Sequence, residues 1–158
     1  IDALRTYDAP GGGDHRWLVP LFRVETRWEH YTMFSWAHLR DFLNEQLLVA
    51  PMSLMLLVGV VSIHRRWLRQ PDPAFFFLAT AAAAYLLLTF VWNPDYGGRR
   101  DWDLFAPAAF PVTVMAAYVM NGYLERNERE RVTALAVAVS LMHLIPWVHF
   151  NAQPWPWD

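Results

Sequence analysis

The sequence predicts an all-α membrane protein with four transmembrane helices, preceded by an outer-face segment that carries an amphipathic interfacial helix. Hydrophobic residues make up 55% of the 158 residues, and four long windows carry almost no charge. Each window is about 17 to 21 residues long, close to the roughly 20 that a helix needs to cross a hydrocarbon core about 30 Å thick. The alternative, a soluble bundle of buried helices, should show polar stripes on its surface helices, and these windows show none.

The windows divide the chain into three parts. Residues 1–46 form a periplasmic and interfacial segment, residues 47–150 form the transmembrane domain, and residues 151–158 form a periplasmic tail. The four predicted spans are residues 47–63, 74–92, 104–124 and 132–150. Four prolines lie inside or near the span ends and should bend them: Pro51, Pro107, Pro111 and Pro146.

The amphipathic helix is predicted over residues 27–46. There Tyr31, Phe34, Ala37 or His38, and Phe42 recur at helical spacing beside charged positions. Such a pattern is typical of a helix that lies on a membrane surface before the chain turns inward.

Orientation follows from the arginines, because short cytoplasmic loops retain basic residues. The first loop holds Arg65, Arg66 and Arg69, the third holds Arg126, Arg129 and Arg131, and the middle loop holds only Arg99 and Arg100 beside Asp95, Asp101 and Asp103. The first and third loops are therefore predicted to be cytoplasmic. We expect a multi-pass protein of a bacterial inner membrane, cytoplasmic or intracytoplasmic, with both termini periplasmic.

Composition excludes several kinds of site and partner. The chain has no cysteine, so disulfides, thiolate metal sites and cysteine nucleophiles are excluded. Its net charge of -2 argues against nucleic acid as a partner. Membrane lipids and other integral membrane subunits are the expected partners. Because Ile1 begins no basic-then-apolar leader, we expect a fragment or processed product of a longer protein.

The polar stretch NPDYGGRRDWDLF, residues 93–105, is the first candidate site. Arg99 and Arg100 can bind phosphate through forked hydrogen bonds, and Asp101 and Asp103 can bind a divalent cation or act as bases. The structural alternative is a self-paired turn in which Trp102 anchors the membrane interface and an aspartate caps the next helix.

A second constellation lies on the predicted interfacial helix. His38, Asp41 and Glu45 recur at spacings of three and four, so one helix face can hold all three. A metal could use that face, but a solvated polar face is the more ordinary interpretation. Asn44 would lie near the outer mouth of the bundle.

The third candidate is His143, an ionisable residue inside the otherwise apolar last window. As neutral imidazole it could ligate a metal, including the magnesium of a chlorophyll-type pigment. The tail SLMHLIPWVHFNAQPWPWD loosely resembles the ends of bacterial light-harvesting polypeptides, in which tryptophans and a Pro-Trp pair follow a membrane histidine. It departs from them at Val139, where alanine is usual, and at Pro146. An ordinary hydrogen-bonded histidine is the alternative.

A broader resemblance covers roughly residues 27–152. The stretches MFSWAHLRDFLNEQLLVAP, NPDYGGRRDWDLFAPAAFP and MHLIPWVHFNA resemble the last membrane spans of large, polytopic bacterial inner-membrane proteins similar to glycosyltransferases of the GT-C type. The resemblance implies a pocket that faces the outer side, with His38, Asn44, Asp101 and Asp103 at its mouth. It does not imply catalysis, since the key acidic residue of those enzymes lies in a first outer loop that has no counterpart here.

Two functional hypotheses follow. The first is a non-catalytic integral membrane subunit that packs against and stabilises a larger membrane assembly; the tail favours an energy-transducing or photosynthetic host, such as a reaction-centre or light-harvesting complex. The second is a fragment of a GT-C-like lipid-linked sugar transferase with the Arg/Asp loop at its pocket. A transporter is less consistent, because no span holds an acidic residue or a broken-helix pair that would mark an ion path.

Overall fold

The computed structural model describes residues 17–26, 29–63, 72–94 and 102–152. Of these residues 77% are helical and none belongs to a strand, so the predicted all-α class is confirmed. The helices are α1 (Trp36–Val49), α2 (Ser53–Ile63), α3 (Pro73–Val91), α4 (Trp102–Phe105), α5 (Ala109–Tyr123) and α6 (Arg126–Asn151), with a 3-10 turn at Ala106–Ala108 between α4 and α5.

Three stretches are long and apolar enough to cross a membrane: Pro73–Val91, Asp103–Tyr123 and Arg126–His149. They correspond to the second, third and fourth predicted spans, and the third includes α4 from Asp103, the 3-10 turn and α5. A fourth crossing would need α1 and α2 to act together, and these two helices meet at an angle of 103°. The described part of the chain therefore contains three to four helices that are long and apolar enough to cross a membrane, as in a membrane protein.

The first predicted span, residues 47–63, is not one straight helix. The helix is interrupted between Val49 and Ser53, and the backbone of Ala50 is not helical, with φ −151° and ψ 72°. Pro51 explains the break, because a proline disfavours helical geometry in the residue before it and lacks an N–H to donate. The remaining helix α2 has 11 residues and a length of about 16 Å, half of a hydrocarbon core.

The predicted amphipathic helix also differs from α1 at its start. Helix α1 begins at Trp36 rather than at residue 27, because the Ser35 hydroxyl accepts a hydrogen bond from the His38 N–H and caps it. Residues Tyr31 and Phe34, which the helical spacing had included, precede the helix. At the other end α1 continues through Val49 into the residues predicted as the first span.

The hydrophobic core lies where α2, α3 and α5 meet. It consists of Val60 from α2, Phe75 and Ala82 from α3, and Val112, Met115, Val119 and Met120 from α5. The four residues of α5 follow helical spacing, so they form one stripe that faces the other two helices. Helix α5 is the central element, since α2 and α3 make their most extensive contacts with it.

Helix α6 lies beside this core and contributes little to it. None of its spanning window is buried, against 44% for Asp103–Tyr123. Val132 is its one residue packed against the core cluster. The helix continues through Pro146. Its described side chains are exposed or partly exposed along its length.

Candidate functional site between α1 and the end of α3

Six buried polar side chains lie in and around α1 and the C-terminal end of α3, and they form the candidate functional site. Helix α1 packs against α4, and its inner face meets the C-terminal end of α3. We call the six residues the buried polar layer: Glu29, His38, Glu45, Gln46, Thr89 and Asn93, each at most 6% exposed. Burying polar groups costs free energy unless they are hydrogen-bonded, so this layer must be held by specific contacts.

His38 is the centre of an aromatic stack. Its ring lies 4.9 Å from that of Tyr31 and 4.7 Å from that of Phe90, measured between centroids. Its Nδ1 lies 2.5 Å from the Met33 carbonyl oxygen. Because a carbonyl only accepts, Nδ1 carries a proton and donates it to this oxygen.

Gln46 ties α1 to α3. Its Nε2 donates to the Thr89 Oγ1 at 3.3 Å, and that hydroxyl donates in turn to the Leu86 carbonyl at 3.0 Å. Both side chains are buried. The pair therefore satisfies polar groups that would otherwise oppose the packing of α1 on α3.

Tyr31 lies under the influence of two carboxylates. Burial, together with the nearby charges of Glu45 and Asp41, raises the pKa of its phenol well above the ordinary value. All three effects favour the neutral phenol over the phenolate. The buried side of α1 thus holds His38 against a neutral Tyr31 phenol with acidic groups nearby, an arrangement suited to hydrogen bonding rather than to anion binding.

The segment before α1 is fastened to the end of α3. Val19 N–H donates to the Val91 carbonyl and Asn93 N–H to the Trp17 carbonyl, both at 2.9 Å, as in a short antiparallel pairing. The Trp17 and Trp92 rings meet edge to face at 5.0 Å. This pairing joins the segment before α1 to the end of α3 at the buried Asn93.

The Glu29 carboxylate forms hydrogen bonds within the same segment. Its Oε2 accepts from the backbone N–H groups of Glu25 at 2.6 Å and Thr26 at 3.0 Å. A carboxylate that accepts backbone hydrogen bonds shapes the turn around it. This use of Glu29 is structural and accounts for a buried acid that the sequence had not singled out.

The sequence-predicted site residues fare differently. Arg99, Arg100 and Asp101 lie outside the described residues, and Trp102 is the first residue of α4. Asp103 is exposed in the first turn of α4, and Asn44 is exposed on α1. The packing of α1 on α4 brings together the elements that carry Asn44 and Asp103. A pocket with these residues at its mouth stays a prediction.

The prediction of a solvated polar face on α1 is wrong. His38 and Glu45 are 2% and 6% exposed, and only Asp41 of the predicted trio is partly exposed. Large apolar residues of α1 are exposed beside Arg40 and Asn44: Trp36, Leu39, Leu43 and Leu47. The helix therefore buries His38, Glu45 and Gln46 against protein and exposes an apolar stripe, which suits a lipid environment.

His143 lies half-buried on α6. Its Nε2 is shielded from solvent and has no hydrogen-bond partner among the described residues. Across those residues, no three His, Asp or Glu side chains lie close enough together to hold a metal ion. Ligation of a metal or pigment by His143 stays a prediction.

The sequence predicted His38 as a candidate site residue but gave no indication of the buried Gln46 and Thr89. Residues His38, Phe42, Glu45 and Gln46 recur at helical spacing and so share one face of α1, but the pattern does not tell that this face is the buried one. Thr89 lies in a wholly apolar stretch and gives no signal beyond its hydroxyl. Comparison with known proteins adds nothing to this assignment: no family model, curated protein or solved structure matches the chain.

Proposed function

We propose that this chain is a non-catalytic integral membrane component whose helix α6 packs against further membrane helices and thereby stabilises a larger assembly. The observation that carries the proposal is the contrast in burial between α6 and the other spans: none of its spanning window is buried. The described chain thus offers a complete span that its own fold hardly uses.

The surface of α6 that would meet such helices points away from the core. We call it the outward face; it comprises Leu135, Ala138, Met142 and Ile145, which share one side of the helix and are all exposed. Helices associate in lipid through close packing around small residues, and Ala138 provides one such point.

Photo-crosslinking tests the proposal. Because the sequence has no cysteine, a single introduced cysteine is the one thiol of this chain that can carry the label. Single-cysteine variants Met142→Cys on α6 and Phe77→Cys on α3 replace side chains that are both 73% exposed. Each would carry a thiol-linked benzophenone in native membranes. We expect Met142→Cys to give a protein–protein adduct at far higher yield than Phe77→Cys. Equal, lipid-only labelling at both positions would refute the packing role of α6.

A second candidate function is a fragment of a GT-C-like lipid-linked sugar transferase. What supports it is that α1, which carries Asn44, packs against α4, which carries Asp103. Binding of a polyprenyl phosphate to the purified chain tests this candidate. The candidate requires Asn44→Ala and Asp103→Asn to weaken binding, whereas Arg40→Gln, also on the exposed side of α1, should not. Absence of binding by the unmodified chain would eliminate it.

A further inference from the structure

A groove runs between α6 and the pair α2 and α5. Its volume is about 520 Å³, and α6 lines it with Arg129, Thr133, Ala136 and Ser140, opposite Ala116 and Ala117 of α5. The α6 residues lie on one side of the helix, away from the outward face. The lining continues to Leu144, so the groove follows α6 over sixteen residues, or about 22 Å.

Arg129 marks one end of the groove and is its only charged lining residue. The Asn121 side chain holds it in place: the Arg129 Nη1 donates to the Asn121 Oδ1 at 2.8 Å. Within the described part of the chain, no carboxylate forms an ion pair with Arg129. Its neighbours use their charges elsewhere, because Arg126 pairs with Glu130 at 2.9 Å and Glu128 accepts from the Glu125 N–H.

An arginine that carries an unneutralised charge at the mouth of an apolar groove, at the end of a membrane span, matches the chemistry of an anionic phospholipid. A guanidinium binds phosphate through charge-assisted, forked hydrogen bonds. Thr133 lies one turn further in, where its hydroxyl can donate to an ester oxygen. Small side chains at Ala136, Ser140 and Ala117 leave room for an acyl chain along the rest of the groove.

We propose that the groove between α5 and α6 binds one anionic phospholipid, with its phosphate on Arg129 and one acyl chain along the helix toward Leu144. The site would fasten α6 to the core, since the described contacts between them are few. This assignment goes beyond the proposed packing role and does not depend on what covers the outward face of α6.

Native mass spectrometry of the full chain in mild detergent tests the site with phosphatidylglycerol and phosphatidylcholine as probes. The unmodified chain should retain one phosphatidylglycerol in preference to phosphatidylcholine. Arg129→Gln should weaken retention about tenfold, as the loss of a charge-assisted contact predicts. The matched control is Arg131→Gln, which removes the same charge from the exposed outer side of α6 and should leave retention unchanged.

Further variants separate headgroup from chain. Ala136→Phe keeps the charge but fills the groove, so it should reduce retention of both lipids, whereas Arg129→Lys should keep most of the phosphatidylglycerol bound. Inorganic phosphate should not displace the lipid. Equal losses in Arg129→Gln and Arg131→Gln would show diffuse attraction to a charged surface and overturn the site. So would unchanged retention in Ala136→Phe, or a photo-crosslink from Ser140→Cys to another polypeptide.

Discussion

Helices α5 and α6 are adjacent in the sequence and similarly apolar, yet α5 lies at the centre of the fold and α6 at its periphery. Only two residues separate Tyr123 from Arg126. Their spanning windows have mean hydropathies of 1.5 and 1.6, but 44% of the first window is buried and none of the second. Hydropathy therefore identifies a span without telling whether protein or lipid surrounds it.

The difference arises from what each helix meets. Met115, Val119 and Met120 of α5 interlock with α2 and α3, and this stripe continues with the adjacent Val112 and Ala116. Helix α6 has apolar residues on every side, and the fold places only one side of it near the core. We infer a packed body, comprising residues 17–26, 29–35 and helices α1 to α5, and a peripheral α6.

The largest test of this comparison removes a methionine from each helix. Met115 on α5 is 3% exposed and Met142 on α6 is 73% exposed. We expect Met115→Ala to lower the free energy of unfolding by about 2–3 kcal/mol, because it leaves a cavity in the core. Met142→Ala should change it by less than about 0.5 kcal/mol. Denaturation in mixed micelles measures both, and equal effects would contradict the division into body and periphery.

The second test uses pH, because the body contains a buried phenol and α6 contains no tyrosine. Burial and two carboxylates raise the pKa of Tyr31 in the folded chain above the ordinary 10.0. Above that pH the unfolded chain releases the proton while the folded chain keeps it, so stability is present below pH 10 and falls as pH rises. The slope should be at most about 1.4 kcal/mol per pH unit.

Tyr31→Phe provides the control for this pH effect. It should flatten the decline in the free energy of unfolding above pH 10, since the residue that titrates is gone. Titration of phenolate absorbance in the folded chain should show one tyrosine fewer among those that resist ionisation. An unchanged alkaline slope in Tyr31→Phe would mean that Tyr31 is not buried in the folded chain.

A third comparison pairs two threonines. Thr89 in the body receives the Gln46 hydrogen bond, whereas Thr133 on α6 is exposed. Thr89→Val should cost about 1 kcal/mol, because it leaves the buried Gln46 amide without this acceptor. Thr133→Val should leave stability unchanged within error. A double variant with Gln46→Leu isolates the pair, and a coupling near zero would show that Thr89 acts alone.

Sequence signals proved reliable where they were local. The second predicted span, residues 74–92, matches α3 almost residue for residue, because Asp72 caps the helix and Pro73 occupies its first turn. The Asp72 carboxylate also accepts a hydrogen bond from the Tyr118 hydroxyl, and both hydrogen bonds lower the pKa of Asp72. That second contact joins α3 to α5 and could not be predicted from either segment alone.

The face that α1 buries could not be predicted from hydrophobic pattern. In water its apolar stripe would be packed and its polar face solvated, and the pattern favours that arrangement. In the structure Leu39 and Leu43 are exposed while His38 and Glu45 are buried. Because lipid is as apolar as leucine, hydrophobicity no longer decides which face turns inward, and hydrogen bonds such as Gln46 to Thr89 do.

The smallest expected effect lies on the exposed first turns of α6. Arg126 and Glu130 form an i,i+4 ion pair at 2.9 Å, with side chains 84% and 61% exposed. Such pairs contribute about 0.3–0.5 kcal/mol and are screened by salt. Glu130→Gln should therefore lower stability by that amount at low ionic strength and by less at high ionic strength.

Glu128→Gln is the matched comparison for this pair, because Glu128 Oε2 accepts from the Glu125 N–H at 3.1 Å at the start of α6. That contact resembles the acidic half of a capping box, and glutamine can replace it. Both variants should thus change stability little, and both should leave the folding of the body intact. If either one lowered stability as much as Met115→Ala, then α6 would be a structural part of the body and not a peripheral helix.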